Sequence, residues 1–377
     1  MPALNNVLVV GGGTAGAAGA ILLAEAGVTV DLIEINPDIT ALGSGITLQG
    51  NALRVLNQLG IWERISRAGY VQEDWLGLRA PDAEGTLLAR VPSTRTGGPD
   101  LPATLGIDRP TLARILIDRV AELPIRVRTG LTFTDLVQQP DSVTAHFSDG
   151  SVGTYDLVIG ADGVRSHTRR YLGIDAEIRS TGLGAWRAIV PRPESITHTE
   201  VCYGGPSYIA GYGPINEHEM YAFFTEDAQD RTALTADERL AVMRRFAEEY
   251  HGPWDVISPT LTETSRVHYT WFESYLAEGP WHRGRVVLIG DAVHTCPPTV
   301  AQGAAMALED AQVLAELLLG NDVLDDALLN GFAVRRLARV RPVIEATLQI
   351  VEWVLAHEHG DIPRLMAEVA TIVTEPA

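Results

Sequence analysis

Apolar positions along this chain follow two periods, and the changes of period mark its parts. The run Val7-Leu-Val-Val10 is short and β-branched, the pattern of a strand buried on both faces, and Gly11 ends it. An Ala-rich stretch then predicts a helix from roughly Ala15 to Ala26, closed by Gly27, and Val28 to Ile33 predicts a second buried strand. Leu42 to Ile46 reads as a glycine turn. Leu53, Leu56 and Leu59 share a helical stripe that stops at Gly60, and Asp108-Arg109-Pro110 opens another helix, with Leu112, Leu116 and Val120 at four-residue spacing. Trp62 to Ala89 is irregular, and Val91 to Pro102, rich in Pro, Gly and Thr, reads as an exposed loop. From Ile125 to Val152 short alternating runs are punctuated by Pro140-Asp141 and Asp149-Gly150, which predicts hairpins, and Asp156 to Gly160 reads as a strand. Residues 180 to 275 place Trp186, Tyr203, Tyr208, Tyr212, Tyr221, Phe223 and Trp271 mostly in alternating runs around one polar helix, Asp237 to Tyr250. A strand over Arg285 to Ile289 leads into helices over Ala304 to Leu319 and Leu328 to Ala356, the latter interrupted by Pro342. The pattern predicts a doubly wound α/β unit, an antiparallel sheet and C-terminal helices.

The glycines after the first strand carry chemistry. Gly11, Gly13 and Gly16 form G-x-G-x-x-G between a strand and a helix, with Thr14 and Ala15 at the helix start. The first glycine allows a tight turn, the second lets backbone approach a pyrophosphate, and the third lets the helix pack closely. The helix amides and dipole then face phosphate. Glu34 ends the second strand about twenty residues on, where a carboxylate accepts hydrogen bonds from a ribose. Strand, loop, helix, strand and acid together read as a site for the ADP half of a dinucleotide.

Composition narrows the partners. A net charge of −19 and a pI near 4.9 argue against nucleic acid, although an anionic cofactor needs only a local positive site. Two distant cysteines, Cys202 and Cys296, suggest neither a disulfide framework nor a metal centre. No long apolar run or charged leader points to a membrane, so the expectation is a cytoplasmic protein of two or three packed units.

A second stretch, Arg285-Val-Val-Leu-Ile-Gly-Asp291-Ala-Val-His294-Thr-Cys-Pro297-Pro298-Thr-Val-Ala-Gln302-Gly303-Ala304, adds to the picture. A carboxylate just after a buried strand is placed to bond the hydroxyls of a flavin's ribityl chain. Pro297-Pro298 makes a stiff wall without amide donors, and Gly303 and Ala304 present amides at a helix start, which stabilise negative charge on a reduced flavin.

Gly11-Gly-Gly-Thr-Ala-Gly16, Asp156-Leu-Val-Ile-Gly-Ala-Asp-Gly163 and Gly290-Asp-Ala-Val-His-Thr-Cys-Pro-Pro298 occur in that order. Together they resemble the single-component FAD-dependent aromatic hydroxylases with the p-hydroxybenzoate hydroxylase fold. The nearest likeness is to members acting on hydroxybenzoates and hydroxypyridines, such as the 6-hydroxynicotinate 3-monooxygenases. The resemblance spans essentially the whole chain. It implies non-covalent FAD, NAD(P)H as a transient electron donor, O2 as co-substrate and a phenolic or hydroxy-N-heteroaromatic substrate, oxygenated through a flavin C4a-hydroperoxide. It further implies that Glu34 holds the adenosine ribose, Arg109 contacts the cofactor, and Asp162 lies in a segment linked to FAD and nicotinamide. Asp291 would hold the ribityl chain and Pro298 lie beside the ring. One departure is that Glu34 is followed by Ile35-Asn36-Pro37, without the basic residue many relatives carry there. The expected units are residues 1–180 with 276–325 for FAD, 181–275 for substrate and 326–377 as a C-terminal helical segment, in a monomer or homodimer. Related outcomes stay open: epoxidation, Baeyer–Villiger oxidation, decarboxylative hydroxylation, or a non-catalytic FAD-binding regulator. Trp186-Arg-Ala-Ile-Val-Pro191 lacks the second tryptophan of the flavin halogenase pattern W-x-W-x-I-P.

Other residues carry two readings each. Arg165, Arg169 and Arg170 either meet the phosphates of NAD(P)H or form a solvated helix face. Arg109 is a cofactor contact or a surface ion-pair residue, and Gln302 a flavin or substrate contact or a helix-capping amide. His294 is an acid/base group or a packed residue of the turn, and Cys296 reads as a small apolar filler. A period of two places Tyr208, Ala210 and Tyr212 on one sheet face, either as core or as the wall of a substrate pocket, where a phenol can relay a proton.

Overall fold

The computed structural model describes residues 4–39, 43–174 and 177–377. Of the glycine turn expected at Leu42 to Ile46, Leu42 lies outside the described residues. The strand Asn6–Val10 sits at the centre of a six-stranded sheet, pairing in parallel with Thr29–Glu34 on one side and Leu157–Gly160 on the other. Ile125–Thr129 extends one edge, and Val286–Leu288 with His282–Arg283 extends the other. Central strands of such a sheet are covered on both faces, which is why Val7 to Val10 is continuously apolar. The helix Thr14–Glu25 is buried nearly all round, and its small residues let the long helix Gly303–Gly320 lie close: a Cβ on Gly19 would stand 3.9 Å from that of Ala311.

The second sheet is eight-stranded. Its order is His294–Thr295, Arg266–Leu276, Arg179–Pro191, Glu219–Asp227, Ile209–Pro214, Glu200–Tyr203, Trp75–Arg79 and Leu87–Pro92. The last two strands come from the stretch read as irregular, and Trp75–Arg79 joins Glu200–Tyr203 in parallel. The antiparallel unit therefore draws on residues 75–92 as well as 181–275. Val91 and Pro92 belong to a strand, and the loop begins after them.

Alternation divides this sheet into two faces. Trp186, Ala188, Ala210, Tyr212, Ala222 and Phe224 form one core with the helices Ala236–Glu248 and Trp254–Ile257. The opposite face, carrying Arg187, Ile209, Gly211, Tyr221 and Phe223, turns toward the first unit. Pro342 does not interrupt its helix, which runs unbroken over Asp326–Leu355. A further amphipathic helix, Ile362–Thr374, packs on it through Ile362, Val369 and Val373. Among the described residues, no helix is long and apolar enough to cross a membrane.

Candidate active site

Three sequence motifs converge because glycine permits close backbone approach. Gly11 has a φ of +105°, and a Cβ there would lie 2.5 Å from the Ala161 carbonyl oxygen, so the loop abuts Ala161-Asp162. A Cβ on Gly16 would stand 1.9 Å from the Gly11 carbonyl oxygen. Gly290, with a φ of +62°, would bring a Cβ within 3.0 Å of that of Ala15. The Asp291 turn is thus seated on the start of the first helix. Gly13, by contrast, has no neighbouring atom within 4 Å of a built Cβ, and neither has Gly303. Both face open space.

The candidate cofactor residues fall around this junction. Glu34 accepts the Gly12 N–H at 2.9 Å through one carboxylate oxygen, while the other takes the backbone and side-chain N–H groups of Asn36 at 2.9 and 2.7 Å. Asn36 thus holds the outer oxygen of the Glu34 carboxylate. Arg109 begins the helix Arg109–Ala121 and is exposed, its Cδ 3.1 Å from where a Cβ of Gly43 would be. Asp162 has a local duty. It accepts Ser166 Oγ–H at 2.5 Å and the N–H and O–H of Thr168 at 2.8 and 2.9 Å, bracing the first turn of the short helix His167–Tyr171, which Ser166 caps. Its backbone, rather than its carboxylate, abuts the glycine loop.

Asp291 opens onto a cleft from between buried neighbours: its side chain still meets solvent while protein crowds it on the other sides, and among the described residues no group donates a hydrogen bond to it. Burial among surrounding elements raises its pKa, with Asp310 adding and His294 and Arg109 opposing. A desolvated carboxylate without protein donors fits the hydroxyls of a ribityl chain. Pro298 is exposed and opens the turn Pro298–Val300, which Ala301 ends in the left-handed region at a φ of 54°. A non-glycine residue there stores strain of about 1 kcal/mol or more, held by the surrounding loop. Gly303 and Ala304 then begin the helix Gly303–Gly320 as expected. Open backbone at Gly13 and Gly303 with Asp291 between them fits FAD.

Several expected substrate-side residues lie elsewhere. Tyr212 is 2% exposed and faces the helix-covered core, where its hydroxyl donates to Glu200, itself bonded to Arg79 and His198. Tyr208 precedes the strand Ile209–Pro214, so the period of two does not reach it, and its hydroxyl donates to Asp227 at 2.8 Å. The two tyrosines do not share a face, and Tyr212 is on the side away from the cofactor unit. His294 is 1% exposed, its Nε2 2.7 Å from Asp310 Oδ2, which leaves it inside the fold. Gln302 accepts from Asn51 Nδ2 at 3.0 Å and does not cap its helix. Burial, reinforced by Asp291, pushes the Cys296 thiol up to about 12, as befits a filler. Arg169 is buried, donating to the carbonyls of Ala292 and Val164 at 2.8 Å each. Arg165 is largely exposed and paired with Glu273 at 2.8 Å, and Arg170 is exposed.

The sheet face toward the cofactor unit instead presents Arg187, Tyr221 and Phe223. The Tyr221 and Phe223 rings stack with centroids 5.6 Å apart. Tyr221 packs where a Gly45 Cβ would stand 2.6 Å from its ring, and Phe223 packs over Gly211. The Tyr221 hydroxyl is 3.1 Å from Thr47 Oγ1 on the cofactor unit. Arg187 donates to Thr270 Oγ1 at 2.5 Å, and among the described residues no carboxylate pairs with it. Burial, aided by Arg109, lowers its pKa to about 10, with Tyr221 opposing. Parity is the one sequence signal for Arg187: it puts Arg187 on the face opposite Trp186, and the structure shows that Trp186 lies in the helix-covered core.

The fold and these contacts suit a flavoprotein, and comparison with known proteins gives the class as flavin-dependent monooxygenases. The chain belongs to the FAD binding domain family, which it matches over residues 5–347. It is 34% identical over 322 residues to the 2-heptyl-3-hydroxy-4(1H)-quinolone synthase of Pseudomonas aeruginosa, covering 83% of this chain and 80% of that one. It is 30% identical over 378 residues to the 6-hydroxynicotinate 3-monooxygenase of Bordetella bronchiseptica, covering 94% of each. The crystal structure of Klebsiella pneumoniae HpxO complexed with FAD and uric acid shares the fold, with a TM-score of 0.81 at 22% identity over 98% of this chain and 92% of that one. The chain is an FAD-dependent monooxygenase, and FAD is its cofactor.

Proposed function

We propose that the protein hydroxylates a small phenolic or hydroxy-N-heteroaromatic molecule, using NAD(P)H and O2. Arg187 carries this reading. A half-buried guanidinium close enough to Tyr221 to feel its charge, and without a carboxylate among the described residues, is matched by an anionic or ionisable ring oxygen of the substrate. By favouring the ionised hydroxyl, Arg187 makes the ring electron-rich, which electrophilic oxygen transfer requires. Tyr221, with Thr47 at its hydroxyl, takes the relay role first assigned to Tyr208 and Tyr212. Phe223 and Ile209 supply an apolar wall that excludes water. Asp291, Glu34, Arg109 and the amides of Gly13, Gly303 and Ala304 hold FAD, which supplies the oxygen chemistry when bound. Arg165 and Arg170 are our candidates for the phosphates of the nicotinamide donor. The names of both relatives denote oxygenated nitrogen heterocycles, which supports that substrate class.

The test is a screen of phenols, hydroxypyridines and quinolones for stimulated NAD(P)H oxidation, coupled to product mass. The expected result is stimulation by one ring class, with a product heavier by one oxygen atom. Oxidation unaffected by every ring tested would overturn the reading.

A further inference from the structure

The segment 290–303 is anchored from behind by a buried charge network that touches no substrate. Gly290 N–H donates to Asp310 Oδ2 at 2.7 Å, and His294 Nε2 meets the same oxygen at 2.7 Å. The other oxygen, Asp310 Oδ1, accepts Arg336 Nε–H at 2.7 Å. The adjacent Glu309 accepts two bonds from Arg339 at 2.8 Å each, and further bonds from Arg336, Arg54 and Asn51. Asn51 closes the ring by also donating to Gln302. Asn51, Glu309, Asp310 and Arg336 are all at 0% exposure.

Such a cluster is poorly explained by stability, since well-packed apolar residues usually serve a core as well as a buried ion pair does. Its geometry offers another reason. Asp310 lies on the helix whose first residues are Gly303 and Ala304, and it grips the turn that carries Asp291. Gly290, Ala292, Val293 and His294 are buried toward Asp310, while Asp291 alone is exposed. One carboxylate therefore sets two cofactor-facing groups, the Asp291 side chain and the helix N-terminus, in a single frame.

We propose that Asp310 is a positioning residue for bound flavin, with His294 as its second hold on the turn and Arg336 as its counter-charge. The proposal rests on FAD binding and not on the substrate, so it stands or falls separately from the hydroxylase reading. An Asn side chain offers one acceptor oxygen where Asp310 uses two, so Asp310→Asn must lose either the Gly290 bond or the Arg336 bond. Holoenzyme carrying Asp310→Asn or His294→Gln should bind FAD roughly tenfold more weakly. Its flavin midpoint potential should move to more negative values, because the helix dipole favouring the reduced, anionic ring is no longer held in place. Glu200→Gln is the control: a buried ion-pair lesion on the far side of the other sheet, expected to lower the melting temperature while leaving FAD affinity and potential unchanged. Arg336→Lys keeps the charge and loses the geometry, and should give a smaller shift in the same direction, readable even if Asp310→Asn does not fold. Unchanged affinity and potential in the folded variants, or equal changes in Glu200→Gln, would overturn the proposal.

Discussion

Replacing Asp291 by alanine separates what the residue does for the cofactor from what it does for the fold. In most proteins, losing a buried carboxylate removes hydrogen bonds and lowers stability. Here the carboxylate meets solvent at the cleft and has no described donor, and the protein crowded behind it raises its pKa above the ordinary 3.8. A raised acid pKa means that the folded protein holds this proton more tightly than the unfolded chain. Between the unfolded and folded pKa values, stability therefore falls as pH rises, and at neutral pH the ionised group opposes folding weakly, since solvent screens an exposed carboxylate. Asp291→Ala apoprotein should melt no lower than the parent at pH 7, and any gain should vanish below pH 4. FAD binding should move the other way. A carboxylate accepting hydroxyl hydrogen bonds contributes roughly 1.5–3 kcal/mol, equivalent to about 10- to 150-fold in affinity. Thermal melts of apoprotein with titration of FAD by its fluorescence measure both. Apoprotein that melts several degrees lower with unchanged FAD affinity would refute the reasoning and make Asp291 a residue of the fold.

Three further outcomes can be checked together. Tyr221→Phe should keep FAD and NAD(P)H oxidation but yield less hydroxylated product per NAD(P)H and more hydrogen peroxide, whereas Tyr212→Phe should lower the melting temperature and leave coupling intact; equal coupling in both would remove Tyr221 from the relay. Arg165→Ala should raise the KM for NAD(P)H more than that for the aromatic substrate, and an unchanged nicotinamide KM would return Arg165 to a surface pair with Glu273. Burial tends to raise the Glu200 pKa, but bonds from His198, Arg79 and Tyr212 outweigh it and hold the carboxylate down to about 2. A depressed acid contributes stability above its unfolded pKa of 4.5, roughly 3 kcal/mol by linkage, which is lost as pH falls from 4.5 toward 2; acid melts of Glu200→Gln should show a flatter loss over that window.

The cofactor half was legible because its signals are local. A β-branched run, glycines at fixed offsets and an acid at the next strand end each act through neighbouring backbone: a Cβ has no room at Gly11 and Gly16, and Gly290 takes a left-handed φ of +62°. The substrate half depends on which face of a strand meets which unit. Period two puts Ala210 and Tyr212 together, yet nothing local says which side the helices cover. Tyr208 was misread because the strand begins one residue later, at Ile209. Residues 75–92 were obscure for a related reason: their partner strand Glu200–Tyr203 is distant in sequence, and pairing of that kind leaves no short-range mark. The duties of Asp310 and Arg336 were equally hidden, since a charged residue in a helical pattern reads as solvated until its neighbours are known.

The interleaving of Trp75–Arg79 and Leu87–Pro92 into the later sheet constrains how this protein can be made and remade. During synthesis these two strands emerge well before Glu200–Tyr203 exists, so the hairpin waits with one edge unpaired, and the first unit stays incomplete longer still, until Val286–Leu288 and the helix Gly303–Gly320 follow. Recombination meets the same constraint. Exchanging residues 181–275 with a relative would leave a foreign sheet against the resident hairpin, with mismatched side chains along the Glu200–Gly77 register. The transferable module is discontinuous, and a chimera that carries both pieces across is the one expected to fold.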